Sequence, residues 1–264
     1  MRLFTTVCAL SLVAALGACA NNTASADIAS AASVQCPLDG EVNLEQTIHD
    51  ALLRHPEWLA EMSQALRTKQ QADMAERART AMAQNKAALY SNPADPIAGN
   101  PSGTVTVVEF FDRECPFCKR IAPDLQRLLA ENPDVRVVYK EFPILGPGSI
   151  AAAKAALAAQ RQGRYLPFHD ALMADTTPEH QLAESRIMDI AQSVGLDLKR
   201  LKADMAAPDI AAAIESNKAL ARALGINGTP GLIIGDRFTA GAMSYEALRQ
   251  AVAEARVQKA ASAN

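Results

Sequence analysis

The chain has 264 residues, of which 49% are hydrophobic and only 5% are aromatic, and its formal net charge is −3. Much of the hydrophobic fraction is alanine, which favours helices over an all-β core. The near balance of charges excludes a polybasic surface, so we expect no nucleic-acid partner. Beyond the N-terminus, no apolar run approaches the roughly 20 residues that a transmembrane helix needs.

The first 19 residues have the pattern of an export signal. Arg2 supplies a positive charge, and an apolar and small-residue stretch too short to span a bilayer runs from Leu3 to Leu16. The letters LGAC, which end at Cys19, have the form of a bacterial lipobox, although ordinary signal cleavage after small residues also fits. We favour lipidation of Cys19, because a cysteine directly after Leu-Gly-Ala is not expected by chance in an exported protein. Residues 20–43 then form a tether.

Export determines which cysteines remain in the mature protein and which roles they can have. Cys8 leaves with the signal and Cys19 is acylated, which leaves Cys36, Cys115 and Cys118 in an oxidising compartment. A pair at CxxC spacing there is either a catalytic disulfide or half of a metal site. A structural zinc site needs more ligands than Cys36 can add, so we expect no metal and no cofactor.

Residues 44–91 are predicted to form an N-terminal helical region. Apolar residues recur there at spacings of three, four and seven, at Leu44, Ile48, Leu52, Leu59, Met62 and Leu66. After residue 67 the apolar spacing is weaker, because most residues are charged or polar. A long helix there would be stabilised by packing against a partner helix. A helical cap on the following domain and an oligomerisation arm both fit, and we favour the homo-oligomer.

A boundary rich in Pro and Gly covers residues 91–103, and an α/β pattern follows over residues 104–259. The expected order is strand, helix, strand, helical insertion, hairpin and helix, with the first strand central because it is apolar on both faces. The predicted ranges are 104–111, 115–130 and 135–140, then four or five helices over about 149–224, then 231–234, 237–240 and 244–257.

The letters CPFC, from Cys115 to Cys118, suit thiol chemistry. Pro116 fits the first turn of a helix, where its missing N–H costs nothing. Unpaired backbone donors and the helix dipole would stabilise a thiolate at Cys115, the attacking species. Cys118 would lie one turn deeper and resolve the mixed disulfide.

Two further features accompany this pair. Glu109 interrupts an apolar strand six residues before Cys115; it is either buried, with a raised pKa and able to relay a proton, or faces solvent on an edge strand. We favour burial because its neighbours on both sides are apolar. Pro230 begins a strand after Thr229, a place where a cis peptide bond can be held and where backbone can pair with an extended substrate.

Together these residues resemble the DsbA family, and most closely its branch with N-terminal helical extensions, the suppressor-of-copper-sensitivity C proteins and the related outer-membrane immunoreactive proteins. The likeness covers about residue 44 to the C-terminus. The segments that carry it are VVEFFDRECPFCKRIAPDL, VRVVYKEFPILG and LGINGTPGLIIGDRFTAGAMSYEALRQAV, which begin at residues 107, 135 and 224. The resemblance implies a thioredoxin fold with an inserted helical subdomain, preceded by the helical arm.

The same resemblance implies the roles of the site residues. Cys115 is the nucleophile, Cys118 the resolving thiol, Glu109 the buried acid and Pro230 the cis proline. Two further residues, Phe117 and Thr229, would tune the potential and the choice of substrate.

The resemblance also implies partners and a location. The clients are exported cysteine-containing proteins, with a membrane thiol redox partner, at the periplasmic side of the envelope. Threonine before the cis proline is similar to the isomerase side of the family, so isomerase or reductase action is preferred over oxidase action. The alternative is a lipid-anchored structural or immunogenic binding protein. Cys36 has no counterpart in the family pattern.

Overall fold

The computed structural model describes residues 43–262. The predicted signal, the lipidation site Cys19, Cys36 and nearly all of the tether lie outside the described residues. The chain divides into two compact units, with the division between Trp58 and Leu59.

The N-terminal helices follow the predicted apolar spacing. Helix α1 (Leu44–Arg54) is capped by Asn43, whose side chain accepts a hydrogen bond of 3.1 Å from the Gln46 N–H. Helix α2 spans Glu57–Gln84, and the short helix α3 spans Lys86–Tyr90. None of the helices in the described part of the chain is long and apolar enough to cross a membrane.

A five-stranded mixed sheet forms the centre of the second unit, in the order β1-β3-β2-β4-β5. Strand β2 is central; it pairs in parallel with β3 and antiparallel with β4. The strands are β1 (Ile97–Gly99), β2 (Val105–Phe111), β3 (Val135–Glu141), β4 (Gly231–Ile234) and β5 (Arg237–Ala240).

Seven helices surround this sheet in the chain after β2. Helix α4 joins β2 to β3, five helices form the insertion, and α10 follows the hairpin of β4 and β5. Their bounds are α4 (Pro116–Glu131), α5 (Pro147–Gln160), α6 (Tyr165–Ala174), α7 (Glu184–Ser193), α8 (Leu198–Met205), α9 (Pro208–Ala223) and α10 (Tyr245–Ser262).

The alternation of side chains along β2 divides the core between the two faces of the sheet. Val105, Val107 and Phe111 belong to the larger cluster, with α4, most of the insertion and α10. Val108 and Phe110 lie in a smaller cluster with residues of α2, α3 and α9. Each fully buried large apolar side chain contributes roughly 1.5–3 kcal/mol. The expected thioredoxin fold with a helical insertion and a preceding helical region is confirmed.

The segment 91–103 differs from the sequence-based expectation, because it contains strand β1. This strand pairs antiparallel with β3, from Ile97 opposite Val138 to Gly99 opposite Arg136. Three residues with a proline before them are too short to show a period of two, so pairing with β3 rather than local pattern makes the strand. The boundary region is therefore part of the sheet.

The end of the helical region also packs on the sheet. Leu89 is fully buried, and the Tyr90 hydroxyl donates a 3.0 Å hydrogen bond to the Gly235 carbonyl. The buried Lys140 ammonium donates to the Ala88 carbonyl and forms an ion pair with Asp95. The division between compact units accordingly falls at Trp58 rather than at residue 91.

Candidate active site

The sheet topology brings two segments that are distant in sequence together at one end of the strands. Strand β2 ends at Phe111, just before Cys115, and β4 begins at Gly231, just after Pro230. Because the two strands are antiparallel, with Phe110 opposite Gly231, the end of one meets the start of the other. The Cys115 thiol lies 3.3 Å from the Thr229 carbonyl oxygen, to which it can donate, and the Thr229–Pro230 peptide bond is cis.

Cys115 is the N-cap of α4, in extended backbone, and Pro116 occupies the first turn. The pKa of the Cys115 thiol is lowered to about 6 by hydrogen bonds from the side chains of Cys118 and Thr229 and from the backbone N–H groups of Cys118 and Phe117. Together these bonds outweigh burial, which raises the pKa. A thiol with this pKa is about nine-tenths ionised at pH 7.

Alkylation of the reduced protein is therefore expected to follow a single thiolate that titrates at about pH 6. Thr229→Val should raise this midpoint, because it removes a group that stabilises the thiolate while keeping the side-chain volume. The measurement is the rate of iodoacetamide reaction at Cys115 against pH, read by peptide mass spectrometry. A midpoint near that of a free thiol, about 8.5, would contradict the site geometry.

Cys118 lies one turn deeper and is fully buried. Its pKa is raised strongly, chiefly by desolvation and then by its hydrogen bond to Cys115 and by the Glu109 carboxylate. A thiol in this position needs a base before it can act as a nucleophile.

Glu109 is 2% exposed and lies in the central strand β2, so the edge-strand alternative does not hold. Burial raises its pKa to about 8. Its Oε1 has no hydrogen-bond partner among the described residues. This carboxyl is the group on the resolving side that can exchange a proton near neutral pH.

The loop between β2 and α4 is held by two buried carboxylates that the sequence analysis did not single out. Asp112 accepts hydrogen bonds from the Ile144 and Leu145 N–H groups at 2.7 and 3.0 Å, and from the Ser149 hydroxyl at 2.6 Å. Glu114 accepts from the Leu182 N–H at 3.0 Å. These contacts fix the backbone before Cys115 against the start of the insertion.

A second group that the sequence analysis missed lies behind the cysteines. Arg113 and Glu141 form a buried ion pair that Tyr165 and His169 complete. The signal was present as charged residues at the ends of two apolar strands, in FFDRE and VVYKEF.

Phe117 is the exposed member of the CPFC segment, with 51% of its surface accessible. The Arg120 guanidinium lies 5.0 Å from the centre of its ring. Within residues 43–262, no group of three or more His, Cys, Asp or Glu side chains is arranged to hold a metal ion.

The family model described as the DSBA-like thioredoxin domain matches residues 106–253, which is more than half of the chain. The chain belongs to the DSBA-like thioredoxin family. A second model, the copper resistance protein ScsC N-terminal domain, matches residues 41–73. Family and branch thus agree with the resemblance seen in the sequence.

Solved members of the same fold are similar over most of the described chain. A thioredoxin-like oxidoreductase from Silicibacter pomeroyi DSS-3 has 46% identity and a TM-score of 0.63, over 65% of this chain and 98% of that one. A linker-deletion mutant of Proteus mirabilis ScsC has 29% identity and a TM-score of 0.64, over 87% of this chain and 100% of that one.

The first curated relatives match this family member over only part of their own length. The Na(+)/H(+) antiporter NhaA 3 of Salinispora tropica is 32% identical over 169 residues, which cover 62% of this chain and 26% of the antiporter. The chain thus spans about a quarter of the length of the first curated relatives that it matches. The match shows a shared segment and not a shared transport activity.

Proposed function

We propose that this chain is an exported thiol–disulfide oxidoreductase that exchanges disulfides with cysteine-containing envelope proteins through Cys115 and Cys118. The observation that carries the proposal is the Cys115 thiol at the start of α4, with its lowered pKa, beside the Thr229 carbonyl. Membership of the DSBA-like thioredoxin family supports it.

The reaction needs two exchange steps. The Cys115 thiolate attacks a client disulfide, which forms a mixed disulfide and releases one client thiolate. Cys118 then attacks the Cys115 sulfur, transferring its proton to Glu109, and the second client sulfur leaves as a thiolate. The client gains two electrons and the cysteine pair becomes a disulfide, so a membrane thiol partner must return two electrons before the next cycle. In isomerase action, the client's own thiol attacks the mixed disulfide instead, and no net electrons are used.

We place the preferred direction at isomerisation or reduction. Thr229 directly before Pro230 supports this, because a threonine at this position resembles the isomerase side of the family. Phe117 and the backbone of Thr229 would contact an extended client.

The direct test is turnover of protein disulfides. Reduced protein should accelerate both insulin reduction by dithiothreitol and reactivation of scrambled ribonuclease, and Cys115→Ala should remove both effects. Glu215→Ala, on the exposed surface of α9, is the surface control. Equal turnover by wild type and Cys115→Ala would instead favour a binding protein that only retains the fold.

We also propose that the N-terminal helices form a homo-oligomer. On α2, Leu59, Met62 and Leu66 lie at helical spacing and each is more than half exposed, an apolar stripe that a partner helix would cover. Met62→Glu/Leu66→Glu is expected to reduce the solution mass to that of a monomer in light scattering. Thr68→Glu, on another face of the same helix, is the control, and a wild type that is itself monomeric would end the proposal.

For location, we propose a lipoprotein of the outer membrane that faces the periplasm and is anchored through Cys19. The supporting observation is the lipobox-like sequence, which lies outside the described residues. Labelled palmitate should be incorporated into wild type and not into Cys19→Ala, and absence of label in both would refute the anchor.

A further inference from the structure

Arg113 is a fully buried cation close to the proposed proton relay, although the two exchange steps do not use it. Its guanidinium is 1% exposed and lies 5.0 Å from the centre of the Phe111 ring. It forms an ion pair with Glu141 and donates a 3.1 Å hydrogen bond to the Tyr165 hydroxyl. That hydroxyl donates in turn to Glu141 Oε1 at 2.8 Å, so Tyr165 locks the pair in one arrangement.

Two carboxylates compete for this one guanidinium. Glu109 and Glu141 project from the same face of the β2–β3 ladder, because Glu109 is opposite Tyr139 and Phe111 is opposite Glu141. Arg113 bonds to Glu141. Within the described chain, Glu109 Oε1 and Arg113 Nε both remain without a hydrogen-bond partner.

We propose that Glu141 is a positioning residue for the proton relay: it engages Arg113 and thereby keeps Glu109 without a counterion, so that Glu109 stays able to give and take the Cys118 proton. The proposal rests on the function proposed above and deepens it. Tyr165 acts with Glu141, since its hydroxyl bonds to both members of the ion pair.

The charged and titratable groups that face Glu109 are consistent with this role. Besides Arg113 and Glu141, they comprise Cys115 and Cys118 from the start of α4 and Tyr139 from β3. Tyr165 and His169 from α6 contact Arg113. Desolvation is the main cause of the raised pKa of Glu109; Arg113 lowers it and Glu141 raises it, so the two members of the pair act in opposite directions. Burial and Arg113 hold the pKa of His169 well below its usual value, so this imidazole adds no charge.

Release of Arg113 should therefore change Glu109 without any change at Glu109 itself. In Glu141→Gln, the guanidinium loses its carboxylate and becomes an uncompensated positive charge beside Glu109. An arginine next to a carboxyl typically lowers its pKa by about 1 to 3 units, a roughly 10- to 1,000-fold loss of proton affinity. In Arg113→Gln/Glu141→Gln, both charges are absent, and Glu109 should titrate at or above its wild-type midpoint.

The test is a carbon-13 NMR titration of glutamate carboxyl groups in the reduced full chain, between pH 5 and pH 10. The Glu109 signal is identified by its absence in Glu109→Gln. The wild-type midpoint is expected at about 8, with the Glu141→Gln midpoint at least about 1 unit lower. Tyr165→Phe keeps both charges and removes only the hydroxyl that bonds to both, so its shift is expected in the same direction and well below that of Glu141→Gln.

Each outcome decides the proposal. An unchanged Glu109 midpoint in folded Glu141→Gln overturns it. A Glu109 midpoint lowered by a unit or more in the double variant also overturns it, and the double variant provides the test if Glu141→Gln does not fold. The pH dependence of Cys118 attack on a Cys115 mixed disulfide should shift with the Glu109 midpoint. Because the NMR titration does not depend on turnover, a protein that lacks exchange activity would refute the proposed function while still testing the ion pair.

Discussion

Cys118→Ser should leave Cys115 held in a mixed disulfide with one half of whatever disulfide it attacks. With excess Ellman's reagent, wild type is expected to release two thionitrobenzoate ions per site, the first when Cys115 attacks and the second when Cys118 resolves the mixed disulfide. Cys118→Ser should release one thionitrobenzoate ion and keep the second thionitrobenzoate group bound to Cys115 as a mixed disulfide. The mass increase should last for minutes to hours, the timescale of uncatalysed disulfide rearrangement. The measurement is stopped-flow absorbance followed by intact mass, in a Cys36→Ala background that removes the other thiol.

Cys115→Ser is the matched control for this experiment. Cys118 is fully buried and its pKa is raised by desolvation, so this variant should release almost no thionitrobenzoate on the same timescale. Comparable reaction of both single variants would mean that the two thiols are equally accessible, and the division into attacking and resolving cysteine would fail.

Glu109→Gln should slow the second release by about 100-fold or more, because the neutral amide cannot accept the Cys118 proton. In wild type, the rate of this step should rise with pH and level off above about 8, as the carboxyl becomes ionised. In Glu109→Gln that plateau should disappear. The first release, by Cys115, should remain within a few-fold of wild type, and Glu109→Asp should retain part of the rate because it keeps a carboxylate.

The same substitution should increase stability. The pKa of Glu109 is about 8 in the folded protein, against an ordinary value of 4.5 for this side chain. The protonated carboxyl therefore stabilises the fold fully below about pH 4.5, and this contribution is lost as the pH rises to about 8. Glu109→Gln has no such loss, so its advantage over wild type in urea unfolding should grow across this range, to the order of a few kcal/mol. A variant that is both slower and less stable at pH 8 would indicate a damaged core rather than a missing base.

The structure explains which parts of the site were visible in the sequence. The CPFC segment and Pro116 are local signals, since a helix start is set by the few residues around it, and α4 begins where these letters predict. Burial of Glu109 also followed from its immediate apolar neighbours in one strand. Strand β1 was missed because its three residues acquire their structure from β3, which lies far away in sequence.

Taken alone, the sequence determined the order of most helices and strands, the thiol pair at a helix start and the buried acid in the central strand, because periodicity and caps act over a few residues. The tertiary structure alone decided that Thr229 lies 3.3 Å from the Cys115 thiol and that Arg113 bonds to Glu141. The first contact joins residues that are 114 positions apart in the sequence, and the second joins residues that are 28 positions apart. They arise from strand pairing and burial, which remove water and leave each polar group to find a partner from another segment.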